Sequence, residues 1–245
     1  VHMPIIFFIG IVLILMVGVA STAKADWIRV NVGGGSIRRH LFDVDNDGHL
    51  DSISTTHWYK NPADGSGNWP SFSIGNIDYL NPDARTVGDV NGDGLVDLVI
   101  GVGRGHPAPF RNRIYAFINP GTTGTWARFH IGTLPDAPDG VETVAIGDMD
   151  RDDRPDILAG GESTLLKWFV NPGHMTGSWS HHIVADFNVD VEGMVIAHFN
   201  EDLFLDIAVT TCAPLGFSGG GTYVLIKSTN KSRKLATHHI RYREI

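Results

Sequence analysis

The sequence predicts an all-β fold made of about four repeated four-stranded antiparallel units, and three observations predict it. A nine-residue acidic pattern occupies residues 43–51, 89–97 and 148–156, with a worn copy at 198–206. The starts of these copies are spaced by 46, 59 and 50 residues, the unit size of propeller blades and solenoid repeats. An Asn-Pro turn and a Trp-led strand keep step with them. Antiparallel units of this size, each buried against the next, make a β-propeller.

Taken in order, the chain opens on residues 1–25, where 5–20 are almost wholly apolar and Ala23 and Ala25 have the spacing of a signal-peptidase site. Secretion with cleavage after Ala25 is the reading this favours. Residues 1–4 carry no Lys or Arg, and the apolar run lies at the short end of what spans a bilayer, so a retained anchor or an N-terminal hydrophobic helix is the alternative. Residues 26–36 hold an extra strand at 27–32, begun by Trp27, and a linker. The repeated units then cover 37–75, 83–132, 141–185 and 191–240, within a repeat region of 37–245.

Inside each unit the acidic loop joins two short strands. Thr86-Val87-Gly88 leads into the second loop and Leu98-Val99-Ile100-Gly101 leads out, a β-branched run bounded by glycine. A third strand follows and ends in Asn61-Pro62, Asn119-Pro120-Gly121 or Asn171-Pro172-Gly173, where Pro fixes φ and Gly accepts a positive one. The fourth strand pairs Trp69 with Ile74, Trp126 with Ile131 and Trp179 with Val184; Leu235 with Ile240 is the terminal version. These aromatics are expected to pack between neighbouring units.

The loops carry the chemistry. Oxygen side chains at positions 1, 3, 5 and 9, with the position-7 carbonyl, can surround one hard cation, and glycine at position 6 permits the sharp turn. The expected calcium (Ca2+) ligands are Asp43, Asp45, Asp47, His49 (carbonyl) and Asp51; Asp89, Asn91, Asp93, Leu95 (carbonyl) and Asp97; and Asp148, Asp150, Asp152, Arg154 (carbonyl) and Asp156. The first two loops are the best sets. The third has Asp153 in place of the turn glycine, and the fourth, with His198 at position 1 and Leu203 at position 6, is expected to hold no calcium. An EF-hand is excluded, because position 12 is Ser54, Ile100 or Ala159 and strands rather than helices flank each loop. Of the 27 acidic residues, 14 are aspartates of these loops, so the net charge of −8 is local and nucleic acid is excluded as a natural partner.

The loop pattern, the Gly88-Asp89 and Gly147-Asp148 entries and the Asp97-Leu98-Val99-Ile100-Gly101 exit resemble the FG-GAP/VCBS repeats of integrin α-subunit propellers and many secreted microbial proteins. The resemblance covers about residues 27–240. It implies a propeller with calcium between the first and second strands of a blade, and a role in adhesion or ligand binding; some polysaccharide lyases and sugar dehydratases are built on similar repeats. Four units are fewer than the six to eight blades usual in that family. A closed four-bladed ring, a fragment and a half-propeller completed by another subunit therefore stay open, the last as an oligomer formed when strand 27–32 adds to an exposed sheet edge.

Functional groups are expected at the end opposite the calcium loops. The longest insertions, 103–113 with His106 and 212–221, lie there, and the starts of the innermost strands bring Arg38, Arg39, His40, Arg85, Glu142 and Glu192 toward a channel mouth. His40, Arg85, His106, Glu142 and Glu192 are the catalytic candidates, with Arg to bind an acidic sugar and His or Glu as base. The bland reading is of solvated loop residues and structural ion pairs. Cys212 is the lone cysteine, which rules out an internal disulfide. Two readings follow: a secreted calcium-stabilised module that binds a glycan or protein ligand, touching a membrane only if the N-terminal segment is retained, and a carbohydrate-active lyase or dehydratase.

Overall fold

The computed structural model describes residues 29, 31–32, 39–64, 66–75, 82–103, 111–134, 140–162, 165–212, 220–227 and 238–239. The chain separates into two compact units, Val1–Val30 and Asn31–Ile245. Of the first only Arg29 is described, exposed and in no strand. Asn31 and Val32 are in no strand either, so the extra strand expected at 27–32 does not extend over these residues; the rest of it, the apolar segment 1–25 and His106 lie outside the described residues. Among the described residues no helix is long and apolar enough to cross a membrane.

The second unit is all-β. Sheet 1 holds β1 (His40–Phe42), β2 (Asp51–Ile53), β3 (His57–Tyr59) and β4 (Ser71–Ser73); sheet 2 holds β5 (Pro82–Gly88), β6 (Asp97–Val102), β7 (Arg113–Ile118) and β8 (Ala127–Thr133). Sheet 3 holds β9 (Val141–Gly147), β10 (Asp156–Gly161), β11 (Leu165–Phe169) and β12 (His181–Asp186); sheet 4 holds β13 (Asp190–Ala197), β14 (Asp206–Cys212), β15 (Gly221–Leu225) and β16 (His238–His239). Every strand pairs antiparallel with its chain neighbour, so each sheet is a simple meander. The four acidic loops are the connections between its first and second strands, as the spacing predicts.

The alternation of side chains along each second strand explains how the sheets stack. Successive residues of a strand point to opposite faces. On β6, Leu98, Ile100 and Val102 enter a core shared with Ile53, Trp58 and Ile74 of sheet 1. Val99 points the other way, into a core with Val141, Ile157 and Phe169 of sheet 3. A third core joins Leu158 and Leu166 of sheet 3 to Val191, Ile207 and Val209 of sheet 4. Among the described residues no core cluster joins sheet 4 to sheet 1. Trp126 and Trp179 are buried in these cores, and their backbone N–H groups donate across the joints to the carbonyls of Ile74 and Ile131, both at 2.9 Å. The core-packing reading of the tryptophans holds for these residues.

Where β9 crosses β6, and β13 crosses β10, the second strand carries glycine. A Cβ on Gly101 would stand 2.3 Å from Val141 Cγ1, and one on Gly160 would stand 2.7 Å from Val191 Cγ1. The close approach of consecutive sheets therefore rests on an absent side chain, and overfilling such a joint forces the backbones apart. Gly101→Ala is expected to destabilise the protein by about 1–3 kcal/mol, read as a lowered urea midpoint with an unchanged slope.

Candidate metal centre

Each acidic loop is shaped by its own carboxylates. The position-1 aspartate gathers backbone N–H donors from the turn: Asp43 accepts from Asp47 (3.0 Å) and Gly48 (2.8 Å), Asp89 from Gly92 (2.7 Å) and Gly94 (2.8 Å), and Asp148 from Arg151 (2.7 Å) and Asp153 (3.0 Å). The position-5 aspartate accepts from the N–H two residues on, His49, Leu95 or Arg154. Two residues in each loop take positive φ: Asn46 and Gly48, Gly92 and Gly94, Arg151 and Asp153. Position 4 is thus as constrained as position 6, a requirement the sequence reading missed because Asn, Gly and Arg share no obvious property. In the fourth loop neither Glu201 nor Leu203 has positive φ. A leucine disfavours the left-handed region, so that turn closes differently.

Position 9 is the most buried element of the site. Asp51, Asp97, Asp156 and Asp206 each start a second strand and are fully buried. Each accepts two backbone N–H groups, one from loop position 2 (Val44, Val90, Met149, Phe199) and one from the turn after the third strand (Asn61, Asn119, Asn171, Lys227). A buried carboxylate needs such partners. Burial nevertheless pushes the Asp97 carboxyl up to about 7; the N–H groups of Asn119 and Val90 pull the other way, and the nearby Asp93 and Asp89 add to the rise. Asp51 and Asp156 are raised for the same first reason.

The carboxylates converge as the motif predicts. One oxygen each from Asp43, Asp45 and Asp51 lie within 4.8 Å of one another, and so do oxygens of Asp148, Asp150 and Asp156. Oxygens bound to one Ca2+ at 2.3–2.6 Å are separated by no more than about twice that length, so this spacing fits the ion. Asp45 Oδ1 adds an independent sign: it is buried without a hydrogen-bond partner. In the second loop Asn91 replaces the acid at position 3, and its amide donates to Asp93 Oδ2 at 2.9 Å.

Two cations occupy these loops that the motif alone did not reveal. Lys60, just before the Asn-Pro turn, places its ammonium on both Asp45 and Asp47, the latter at 2.5 Å. These contacts raise the Lys60 pKa and hold Asp47 below its ordinary value. The other units have Ile118, Val170 and Ile226 at this place. In the third loop the Arg154 guanidinium pairs with Asp152. The first loop therefore carries an ammonium on two of its carboxylates, which the hydrophobic residues at the same place in the other units cannot supply.

At the opposite end two of the candidates, His40 and Arg85, are neighbours. His40 sits on β1 with its pKa lowered by burial and by the neighbouring Arg85 guanidinium, which also donates to Thr55 Oγ1 at 2.7 Å. Arg39 lies over the Tyr59 ring and donates to Ser52 Oγ at 3.2 Å. Glu142 and Glu192 lie on the first strands of sheets 3 and 4. Both are the extra residue of a β-bulge near the start of β9 and β13, and Asp83 holds the same register on β5. A bulge re-aims the side chain it carries, but an acid at a bulge is visible only once the pairing is known. His181 and His182 on β12 lie against different rings, Phe169 and Trp168, in tilted contacts of 5.5 and 5.2 Å between centroids.

Taken together, the sheets and loops define a repeat protein whose unit is a four-stranded meander with an acidic first connection. Residues 89–159 match the FG-GAP-like repeat family, and the match begins on the second loop and ends beyond the third. No curated protein matches the chain. Among solved structures it is similar to BBS1N in complex with ARL6DN, soaked with lead (12% identity, TM-score 0.47, covering 80% of this chain and 55% of that one). It is also similar to the Pseudomonas aeruginosa PilY1 C-terminal domain (13%, 0.49, 82% and 50%) and to the V. cholerae biofilm matrix protein Bap1 (14%, 0.34, 76% and 36%). The chain spans about half or less of the length of each of these structures.

Because Asp97 keeps its proton to about pH 7 when folded and only to its ordinary 3.8 when unfolded, its contribution to stability is fully present below that lower value. It is lost as pH rises to about 7. In metal-free buffer the wild type is expected to lose unfolding free energy over that window relative to Asp97→Asn, measured by urea melts at stepped pH.

Proposed function

We propose that this protein is an extracellular, calcium-stabilised β-propeller module that binds a glycan or protein ligand, in the manner of an adhesion domain. The observation that carries the reading is the convergence of carboxylate oxygens in the first and third loops, the third inside the FG-GAP-like match and the first holding a buried, unpartnered Asp45 Oδ1. Asp89, Asn91, Asp93 and Asp97, with the Leu95 carbonyl, would hold one Ca2+; Asp148, Asp150, Asp152 and Asp156, with the Arg154 carbonyl, a second. Asp43, Asp45, Asp47 and Asp51, with the His49 carbonyl, would hold a third once Lys60 is displaced. The ion supplies charge neutralisation and ties the first and second strands of a sheet; it has no catalytic part. Ligand binding falls to the end of the sheets away from the acidic loops, where β6 and β14 finish and the bulge acids Glu142 and Glu192 lie. Secretion with removal of residues 1–25 supplies the compartment in which calcium is abundant.

Calorimetric titration of chelator-treated protein tests the loops. Ca2+ is expected to bind and to raise the unfolding free energy by about 2.7 kcal/mol per site at a hundredfold excess over Kd. Lys60→Met tightens one class of sites, Asp93→Asn weakens another, and absence of any heat or stabilisation with Ca2+ refutes the reading.

A second reading, a lyase acting on acidic polysaccharide, draws on one observation: an imidazole, His40, kept neutral beside the Arg85 cation. A neutral base next to a guanidinium suits proton abstraction α to a bound carboxylate. Absorbance of an unsaturated product, lost in His40→Ala, is its expected signature; no turnover on a panel of uronic-acid polymers removes it.

A further inference from the structure

The joint between consecutive sheets is built three times in the same way, and each of its halves occurs once more without a cover. On the leading side of a sheet, the next-to-last residue of the first strand and loop position 8 press on the sheet before. Ile146 meets Gly88, and Ile196 and Leu205 both meet Gly147. Val87 and Val96 likewise pack on the core shared with sheet 1. In sheet 1 these two positions are Leu41 and Leu50, 60% and 58% exposed.

On the trailing side, loop position 2 is covered by the sheet that follows. Val44, Val90 and Met149 are buried there, and their carbonyls accept from Asn119 Nδ2 (2.8 Å), Asn171 Nδ2 (2.9 Å) and Lys227 Nζ. In sheet 4 the position is Phe199, 45% exposed, and no described donor reaches its carbonyl. Val195, which alternation along β13 turns away from the leading-side Ile196, is 61% exposed, where sheet 3 has the buried Ala145. The missing donor has a counterpart in sheet 1. Asn171 Nδ2 serves two carbonyls, Pro155 of its own loop and Val90 of the preceding one. Asn61 makes only the first of these bonds, to Leu50 O at 3.1 Å, among the described residues.

We propose that the leading face of sheet 1 in one copy of this chain packs on the trailing face of sheet 4 in a second copy, repeating the internal joint. Leu41 and Leu50 cover Val195 and Phe199, and the second amide hydrogen of Asn61 goes to the Phe199 carbonyl. A second copy is the occupant because both halves of one joint, whose apolar pair and carbonyl contact recur within the chain, are carried by every molecule. The joint copied is that of sheets 1 and 2, where Thr55, like Thr210 of sheet 4, stands in place of the glycine of sheets 2 and 3. The contact is heterologous, so copies join head to tail and either close a ring or extend. It uses sheet faces, not the donation of strand 27–32, and it is independent of what the loops bind.

Light scattering on the size-fractionated full chain tests it. The wild type is expected to gain mass with concentration, while Leu41→Asp and Phe199→Asp, both at exposed positions, each remain monomeric with wild-type circular dichroism. An equimolar mixture of the two variants retains one intact head and one intact tail. It is expected to form one-to-one dimers of twice the monomer mass and nothing larger, which also shows both variants folded; Leu50→Asp should replace Leu41→Asp in this mixture. A wild type monomeric at every concentration, variants that assemble as the wild type does, or a mixture that fails to dimerise would each overturn the proposal, while Ca2+ binding in any of these cases leaves the proposed function standing.

Discussion

The architecture depends on one buried carboxylate per sheet. Asp51, Asp97, Asp156 and Asp206 are removed from water, and a carboxylate in that position is tolerated only when its oxygens are satisfied. The two N–H groups that satisfy each of them come from different segments, the acidic loop and the turn after the third strand. One side chain therefore fixes where the second strand begins, how the loop enters and where the third strand ends. Asp206 keeps the arrangement although its loop has lost the left-handed turn, so the clamp is prior to any ion.

The stacking of sheets is built on that clamp. Because the clamp holds loop position 2 in place, its carbonyl becomes a fixed acceptor for the next sheet, and the Asn-Pro turn supplies the donor. The asparagine that looks like turn chemistry is thus also a tenon. Sheet 4 shows that the geometry matters more than the residue, since Lys227 reaches Met149 O from the same place and sets its ammonium 4.6 Å from the Trp168 ring centroid. Burial lowers its pKa against the pull of Asp150, Asp156 and Asp148. Glycines at the crossing points let the sheets come close enough for these bonds to form.

The same clamp organises the charge. Position 9 contributes an oxygen to each carboxylate cluster while its backbone bonds keep it from moving, so a cation meets a preformed set of acceptors. Lys60 and Arg154 show how the chain itself can meet part of that demand. The Lys60 ammonium sits on the carboxylates of positions 3 and 5, whereas the Arg154 guanidinium pairs with position 5 alone. Loops that look alike in composition therefore differ in which of their carboxylates already face a cation of the chain.

What the residues determined by themselves was local. The strands, the meander order, the loops at the first connection and the burial of Trp126 and Trp179 were legible because each depends on spacing along a few residues. The double left-handed turn was half legible, through Gly48 and Gly94 but not through Asn46 or Arg151. The tertiary structure decided that Lys60 enters the first loop, that Glu142 and Glu192 sit on bulges, that Asn119 and Asn171 bind the preceding loop, and which faces of sheets 1 and 4 are left bare. The Lys60 contacts, 13 and 15 positions long, and the bulges depend on strand pairing within one sheet; the asparagine contacts join residues 75 and 81 positions apart, where the stacking of one sheet on the next sets which groups meet.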